Sequence, residues 1–103
     1  MKIEWTALAI RGKQNVADYI RNRFGYKRKR MFIQEVDRTV RMLLDHPNLG
    51  PVEPLLADMP KTYRSVIING LSKIIYFIGD DVIYIVDFWD VRREPKALSE
   101  EVK

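Results

Sequence analysis

The chain has 103 residues, of which 47% are hydrophobic and 31% are charged, and it contains no cysteine. This length suits one domain with its own hydrophobic core, and the composition excludes a disordered or collagen-like chain. The lack of cysteine excludes a disulfide scaffold, a thiolate zinc site and a cysteine nucleophile. No apolar stretch is long enough to cross a bilayer, and no signal peptide follows Met1. We therefore expect a cytoplasmic protein that does not enter a membrane.

Basic residues are concentrated in the first half of the chain. Residues 11–41 hold ten Lys or Arg and three Asp or Glu, a net charge of +7, and the remainder sums to −3, which gives the overall +4. Such a block indicates an anionic partner, which could be nucleic acid, the ribosome or an acidic protein. The alternative is that these side chains form the solvated faces of helices.

The first half also predicts a short strand followed by two helices. Residues 2–6 alternate like a strand, and Thr6 is a suitable N-cap for the first helix, which Gly25 ends. A second helix begins near Lys27 and ends before Pro47, because proline disfavours helical geometry in the residue that precedes it. Both helices carry apolar stripes at helical spacing. The stripes are Ala9, Val16, Ile20 and Phe24 in the first helix, and Ile33, Val36, Val40, Leu43 and Leu44 in the second.

The second half is rich in β-branched and aromatic residues and predicts an antiparallel meander. The three strands are Tyr63 to Ile68, Leu71 to Ile78 and Val82 to Trp89. Asn69-Gly70 is a strong signal for a two-residue hairpin turn, which pairs Ile68 with Leu71. A further short strand is predicted at Leu55 to Asp58. The fold class is therefore α+β: β-α-α followed by a meander, in two layers with a helical hairpin on one face of the sheet.

In that register both faces of the meander are mostly apolar. We expect the helices to cover the face formed by Ile67, Ile74, Tyr76, Ile83 and Ile85. The apolar residues of the opposite face are Val66, Ile75, Tyr84, Val86 and Phe88. A two-layer domain leaves this second face uncovered, and large apolar surfaces usually mark a binding site. The alternatives are that the C-terminal tail covers the face or that a homodimer buries it.

The catalytic motifs searched for are absent from the sequence: there is no Gly-rich phosphate loop, no Gly-x-Ser-x-Gly and no metal-ligand cluster. We therefore expect no cofactor and no metal. A basic set remains, with Arg64 and Lys73 predicted on the same sheet face and Arg92 and Arg93 following the last strand. Such a set can hold a phosphate, but it supplies no good general base. The alternative is a rim of cations that are paired with acidic residues.

Several short motifs, taken in order from Trp5 to Pro95, are similar to those of one toxin superfamily. The matching residues are Trp5, Thr6 and Ala9; Asp18, Tyr19 and Ile20; Leu43, Pro47 and Gly50; Tyr63, Arg64, Lys73, Ile74 and Tyr76; and Arg92, Arg93 and Pro95. With these motifs the chain resembles the RelE/ParE superfamily, the toxins of bacterial type II toxin–antitoxin modules. The resemblance implies one toxin domain over residues 1–98 with a tail at 99–103, and the first strand beside the last. It also implies a cognate antitoxin that orders as it wraps the toxin.

The superfamily has two activities. RelE-like toxins cut messenger RNA on the ribosome with a basic cluster, and Arg64, Lys73 and Arg92 fall on positions of that cluster. Val66 stands where a second lysine of the cluster would be, and Leu98 stands near the position of a late tyrosine, so acid and base groups are missing.

ParE-like toxins instead poison DNA gyrase without hydrolytic residues. The segments 47–50 (Pro-Asn-Leu-Gly) and 92–95 (Arg-Arg-Glu-Pro) look more like that branch. We therefore expect a gyrase-binding toxin, with a ribosome-dependent messenger-RNA endonuclease as the alternative. The residues expected to bind the target or an anion are Arg64, Lys73, Arg92 and Arg93. The second-face residues Val66, Ile75, Tyr84, Val86 and Phe88 are expected to bind the antitoxin.

Overall fold

A computed structural model describes residues 1–70 and 72–90 of the chain. The elements in chain order are β1 (Lys2–Trp5), α1 (Ala7–Phe24), α2 (Tyr26–Asp45), a short 3-10 helix (Pro54–Leu56), β2 (Arg64–Ile68), β3 (Ser72–Ile78) and β4 (Val82–Asp90). This order confirms the predicted α+β class and the β-α-α start. The predicted domain end at residue 98 and the tail lie outside the described residues.

Local signals in the sequence define the ends of the two helices. The Thr6 hydroxyl accepts a hydrogen bond from the N–H of Ala9 at 3.1 Å and so caps α1, as Ser and Thr commonly do. Gly25, with φ of +91°, is the single residue between α1 and α2, a backbone conformation that glycine adopts without a Cβ clash. The helices therefore form the expected hairpin and pack against each other.

The sheet has four strands in the order β1-β4-β3-β2. β1 runs parallel to β4, and the other two pairings are antiparallel, so the first strand lies beside the last as expected. The strand predicted at Leu55 to Asp58 is wrong, because Pro54–Leu56 forms a 3-10 helix there. The Glu53 carboxylate accepts a hydrogen bond from the Leu55 N–H at 3.1 Å, and this bond stabilises the helical turn instead of an extended segment.

The predicted β2–β3 register is wrong by one residue. Ile68 pairs with Ser72 rather than with Leu71, so the connection has three residues instead of two. Since side chains alternate along a strand, a slip of one residue moves every β2 side chain to the other face. Ile68 is therefore buried among the helices, whereas Ile67, which we expected there, is 66% exposed.

A second change of register occurs in β4. Ile75 pairs with Asp87 and Tyr76 pairs with Ile85, so Val86 is an extra residue in a β-bulge. The bulge reverses the alternation after it, which moves Phe88 under the helices and Trp89 to the opposite face. The prediction that Phe88 lies on the second face is therefore wrong. The bulge is held by the Thr6 hydroxyl, which donates to the Val86 carbonyl at 3.0 Å.

The main core lies between the hairpin and one face of the sheet. Four of the five predicted sheet residues contribute to it, namely Ile74, Tyr76, Ile83 and Ile85. The Phe88 ring packs edge-on against Phe32, with centroids 5.8 Å apart. Helix α1 crosses β4 closely, because a Cβ on Gly12 would lie 2.4 Å from the Phe88 carbonyl oxygen.

The second face of the sheet is covered at one end by its own chain. Leu56, Tyr63, Ile75 and Trp89 form a smaller buried cluster there. The segment between α2 and β2 supplies Leu56 and Met59 to this cluster. The other end of the face remains half-exposed, with Phe77, Tyr84 and Val86. Self-burial, one of the alternatives from the sequence, therefore accounts for part of this face.

Candidate functional site

The turn after α2 is fixed to the sheet by a buried tyrosine. The Tyr76 hydroxyl donates to the Pro47 carbonyl at 2.7 Å and accepts from the Gly50 N–H at 3.0 Å. Burial raises the pKa of Tyr76, although the Gly50 N–H and the charge of Arg64 act in the opposite direction. The phenol therefore stays protonated at neutral pH, which it must do to donate to Pro47.

Arg64 lines an open groove beside this turn. Its guanidinium donates to the Gly50 carbonyl at 2.8 Å. The groove has a volume of about 550 Å³, and its other lining residues are Asn48, Lys61, Thr62, Phe77, Ile78 and Gly79. The Lys61 ammonium lies 4.3 Å from the centre of the Phe77 ring, a cation–π distance. The groove thus offers two cations against an apolar wall, which suits a partner with acidic and apolar side chains.

Lys73 does not join Arg64, because the β2–β3 register puts the two residues on opposite faces of the sheet. Arg64 pairs with Tyr76 and shares its face, whereas Lys73 lies on the face of Ile75's neighbours beneath the 51–62 segment. The Lys73 ammonium forms an ion pair with the Glu53 carboxylate, whose side chain is 1% exposed. The predicted shared face is therefore wrong, and the paired-cation alternative holds for Lys73.

The predicted phosphate-binding cluster is consequently not assembled from its two strand residues. Arg64 and Lys73 cannot stabilise the same phosphate from opposite faces, and Lys73 already has an anionic partner. Arg92 and Arg93 lie outside the described residues. Within residues 1–70 and 72–90, no three His, Asp or Glu residues are close enough to hold a metal ion.

The residues expected to bind an antitoxin are also divided between the two faces. Val66 and Phe88 pack in the main core, and Ile75 is buried in the smaller cluster. Tyr84 and Val86 are the two that remain half-exposed on the second face. The Tyr84 ring stacks on Phe77 with centroids 4.9 Å apart. We define Phe77, Tyr84 and Val86 as the open patch.

The sequence analysis missed Lys61 and Asn48 as lining residues of the groove. Lys61 reaches the Phe77 ring from a loop, and Asn48 belongs to the turn after α2. Loop residues carry no hydrophobic periodicity that predicts their neighbours. Asn48 lies in the Pro-Asn-Leu-Gly segment that resembled the ParE branch, and that segment was the one available signal.

The comparison with protein families decides between the two branches of the superfamily. The family model described as ParE toxin of type II toxin–antitoxin system, parDE, matches residues 3–95. The chain belongs to the ParE toxin family. It is thus a ParE-like toxin of a type II toxin–antitoxin system, as the sequence motifs indicated.

The fold of this ParE toxin is also found in a solved structure. That structure is the "Chromosomal ParDE TA system from P. aeruginosa", with a TM-score of 0.71 and 18% sequence identity. The alignment covers 87% of this chain and 95% of the other. At that identity the similarity concerns the fold alone. No curated protein matches the chain, and in the part of the toxin that the structure describes no helix is long and apolar enough to span a membrane.

The Tyr76 hydroxyl is expected to stabilise the toxin and to make its stability depend on alkaline pH. Tyr76→Phe leaves the Gly50 N–H and the Pro47 carbonyl without this partner, so we expect a loss of about 1–3 kcal/mol at neutral pH. Because the folded phenol has the higher pKa, the unfolded chain loses its proton first. Wild-type stability should therefore fall above about pH 10.

Urea unfolding of both proteins between about pH 7 and pH 10.5 measures the two effects. The difference between wild type and Tyr76→Phe should shrink at the alkaline end. Tyr26→Phe is the control, because the Tyr26 side chain is 63% exposed. Equal stability of all three proteins at neutral pH would contradict the role assigned to Tyr76.

The ion pair between Lys73 and Glu53 predicts a second effect on stability. Lys73→Met leaves the Glu53 carboxylate buried without its cation, and we expect a loss of about 3–5 kcal/mol. Adding Glu53→Gln should restore most of that loss, since the buried charge is then gone. Lys61→Met is the control, and its cation–π contact accounts for about 0.5–1 kcal/mol. Chemical denaturation giving similar losses for Lys73→Met and Lys61→Met would show that Lys73 is a solvated rim cation.

Proposed function

We propose that this ParE toxin arrests growth in the cytoplasm by binding DNA gyrase, and that a cognate antitoxin neutralises it. Membership of the ParE family supports the proposal. The observation that favours binding over RNA cleavage is the separation of Arg64 and Lys73 on opposite faces of the sheet, with Lys73 neutralised by Glu53. An endonuclease would need these cations on one phosphate, together with groups that transfer protons.

The target-binding surface in this proposal is the Arg64 groove. Arg64 and Lys61 supply positive charge, and Phe77 supplies an apolar wall. The Gly50 carbonyl fixes the guanidinium of Arg64, so less rotamer entropy is lost when a partner binds. Of the four residues expected to contact the target, Arg64 is the one that the described geometry leaves available.

The antitoxin in this proposal covers the open patch. Phe77, Tyr84 and Val86 are half-exposed apolar residues on the sheet face that the helices do not cover. An antitoxin segment that orders on binding gains affinity by burying such a surface. The patch and the groove share Phe77, so an antitoxin on the patch would also obstruct the groove, which gives a direct route to neutralisation.

The gyrase proposal is tested by expressing the toxin and following DNA and messenger RNA separately. Growth should stop and DNA-damage signalling should rise while messenger RNA stays intact. Purified toxin should also inhibit supercoiling by purified gyrase, and Arg64→Gln should weaken that inhibition by about tenfold, the equivalent of one charged hydrogen bond. A melting curve of Arg64→Gln separates lost binding from lost folding. Codon-specific cleavage of translated messages soon after induction would instead establish the endonuclease.

The open patch is tested by placing a negative charge on it. Tyr84→Glu and Val86→Glu should each weaken binding of the antitoxin encoded beside the toxin by more than about 1.4 kcal/mol, or tenfold. The helix-covered core is untouched, so both variants should still unfold cooperatively. Ile10→Glu is the control, because Ile10 is 44% exposed on α1, away from this face. Wild-type affinity in both patch variants would show that the antitoxin binds elsewhere.

A further inference from the structure

The tip of the helical hairpin, residues 21–30, is strongly basic. It spans the end of α1, Gly25 and the first turn of α2, and contains no acidic residue. Its six cations are Arg21, Arg23, Lys27, Arg28, Lys29 and Arg30. All of these side chains except Lys29 are fully exposed. Neither the Arg64 groove nor the open patch includes any of them.

These charges are almost unneutralised within the protein. Among residues 1–70 and 72–90, the one ion pair that reaches the tip joins Lys29 to Asp18 at 3.9 Å, and the Asp18 side chain is 62% exposed. An exposed pair of this kind stabilises a protein little. Clustered like charges repel one another, and a polyanion that binds them relieves the repulsion and releases its own counterions.

The cations of the tip point to several sides rather than into one channel. Residues 27–30 are consecutive in α2, so their side chains are about 100° apart around the helix axis. Arg28 lines a groove with Phe24 and Asn69, whereas Lys27 and Arg30 lie beside Gln34 on another side. A single acidic peptide strand would meet few of them at once. The two phosphate rows of a duplex present a broad surface with one charge per roughly 1.7 Å of axis.

Two arginines of the tip are held in a geometry that suits phosphate. The Arg21 guanidinium lies 4.5 Å from the centre of the Tyr26 ring, and that of Arg23 lies 5.9 Å from the centre of the Tyr19 ring. A stacked guanidinium still presents its N–H groups at its edge, where they can donate to phosphate oxygens. The stacking also occupies ring faces that unpaired bases would need. This arrangement favours a duplex over a single strand.

We infer that the hairpin tip binds the phosphate backbone of duplex DNA without sequence preference. The ligand is recognised by charge density and by arginine–phosphate hydrogen bonds, and no base contact is required. The inference does not depend on gyrase as the target, because the tip lies outside the groove and the patch. It gives the toxin a second surface, which would keep it close to any enzyme that works on DNA.

Two variants with equal net charge separate the tip from the charge of the whole protein. In the tip variant, Lys27, Arg28 and Arg30 are all replaced by Gln. In the control variant, Lys2, Arg38 and Arg41 are replaced by Gln, three exposed cations outside the tip. Thermal melting should show that both variants fold like the wild type, since none of these side chains lies in the core.

Binding is measured by fluorescence anisotropy with a labelled duplex of about 20 base pairs, between about 50 and 200 mM KCl. The slope of log affinity against log salt should fall in magnitude by about 2.7 in the tip variant, which is 0.9 for each lost phosphate contact. Affinity of the tip variant should fall at least tenfold at the midpoint salt, and that of the control less than about threefold.

Three results would overturn the inference. Equal losses in the tip and control variants would mean that only the net charge matters. Absence of wild-type binding at about 50 mM KCl would mean that no duplex site exists. Polyglutamate of matched charge that binds the tip as tightly as the duplex would mean that this surface receives an acidic protein segment instead.

Discussion

The extra residue at Val86 determines which side of the sheet the end of β4 presents. Without the bulge, Phe88 would continue on the face of Tyr84 and Val86, and Trp89 would lie under the helices. With it, Phe88 packs between Trp5 and Phe32, and Trp89 joins the smaller cluster with Ile75. Complete burial of one such aromatic side chain contributes about 1.5–3 kcal/mol. The bulge thus supplies an aromatic anchor to each of the two hydrophobic clusters.

The same region connects the hairpin to the sheet. Thr6 caps α1 and also donates to the Val86 carbonyl, so the start of the helix and the bulge share one side chain. Gly12 then lets α1 approach the backbone of Phe88. At the other end of the hairpin, Tyr76 fixes the turn at Pro47 and Gly50. The helices are therefore fixed at both ends, and the groove and the open patch lie on a rigid frame, which suits a protein that acts by binding.

The sequence predicted the features of the fold that depend on local chemistry. Thr6, Gly25 and Pro47 act within one turn of the helix that each begins or ends, so the helix bounds followed from them. The register of the sheet depends on packing between distant residues. Asn69-Gly70 favours a two-residue turn, yet burial of Ile68 with Ile74 is satisfied by a three-residue connection. The bulge likewise depends on a hydrogen bond from Thr6, which is 80 residues away.

These two register changes explain the site residues that the sequence analysis misplaced. Arg64 and Lys73 were assigned to one face because a two-residue turn was assumed, and Phe88 was assigned to the second face because regular alternation was assumed. Tyr84 precedes the bulge, and its predicted placement on the second face stands. Family membership followed from motif order and spacing, which do not depend on register.

Thiol accessibility tests most directly the claim that the register separates a sealed face from an open one. The chain contains no cysteine, so each of Ile67→Cys, Ile68→Cys, Val86→Cys and Phe88→Cys carries one thiol. The structure predicts that a thiol reagent labels the variants at 67 and 86 in the folded protein, and labels those at 68 and 88 only after unfolding. Protection at 67 and 86 with rapid labelling at 68 and 88 would contradict the account.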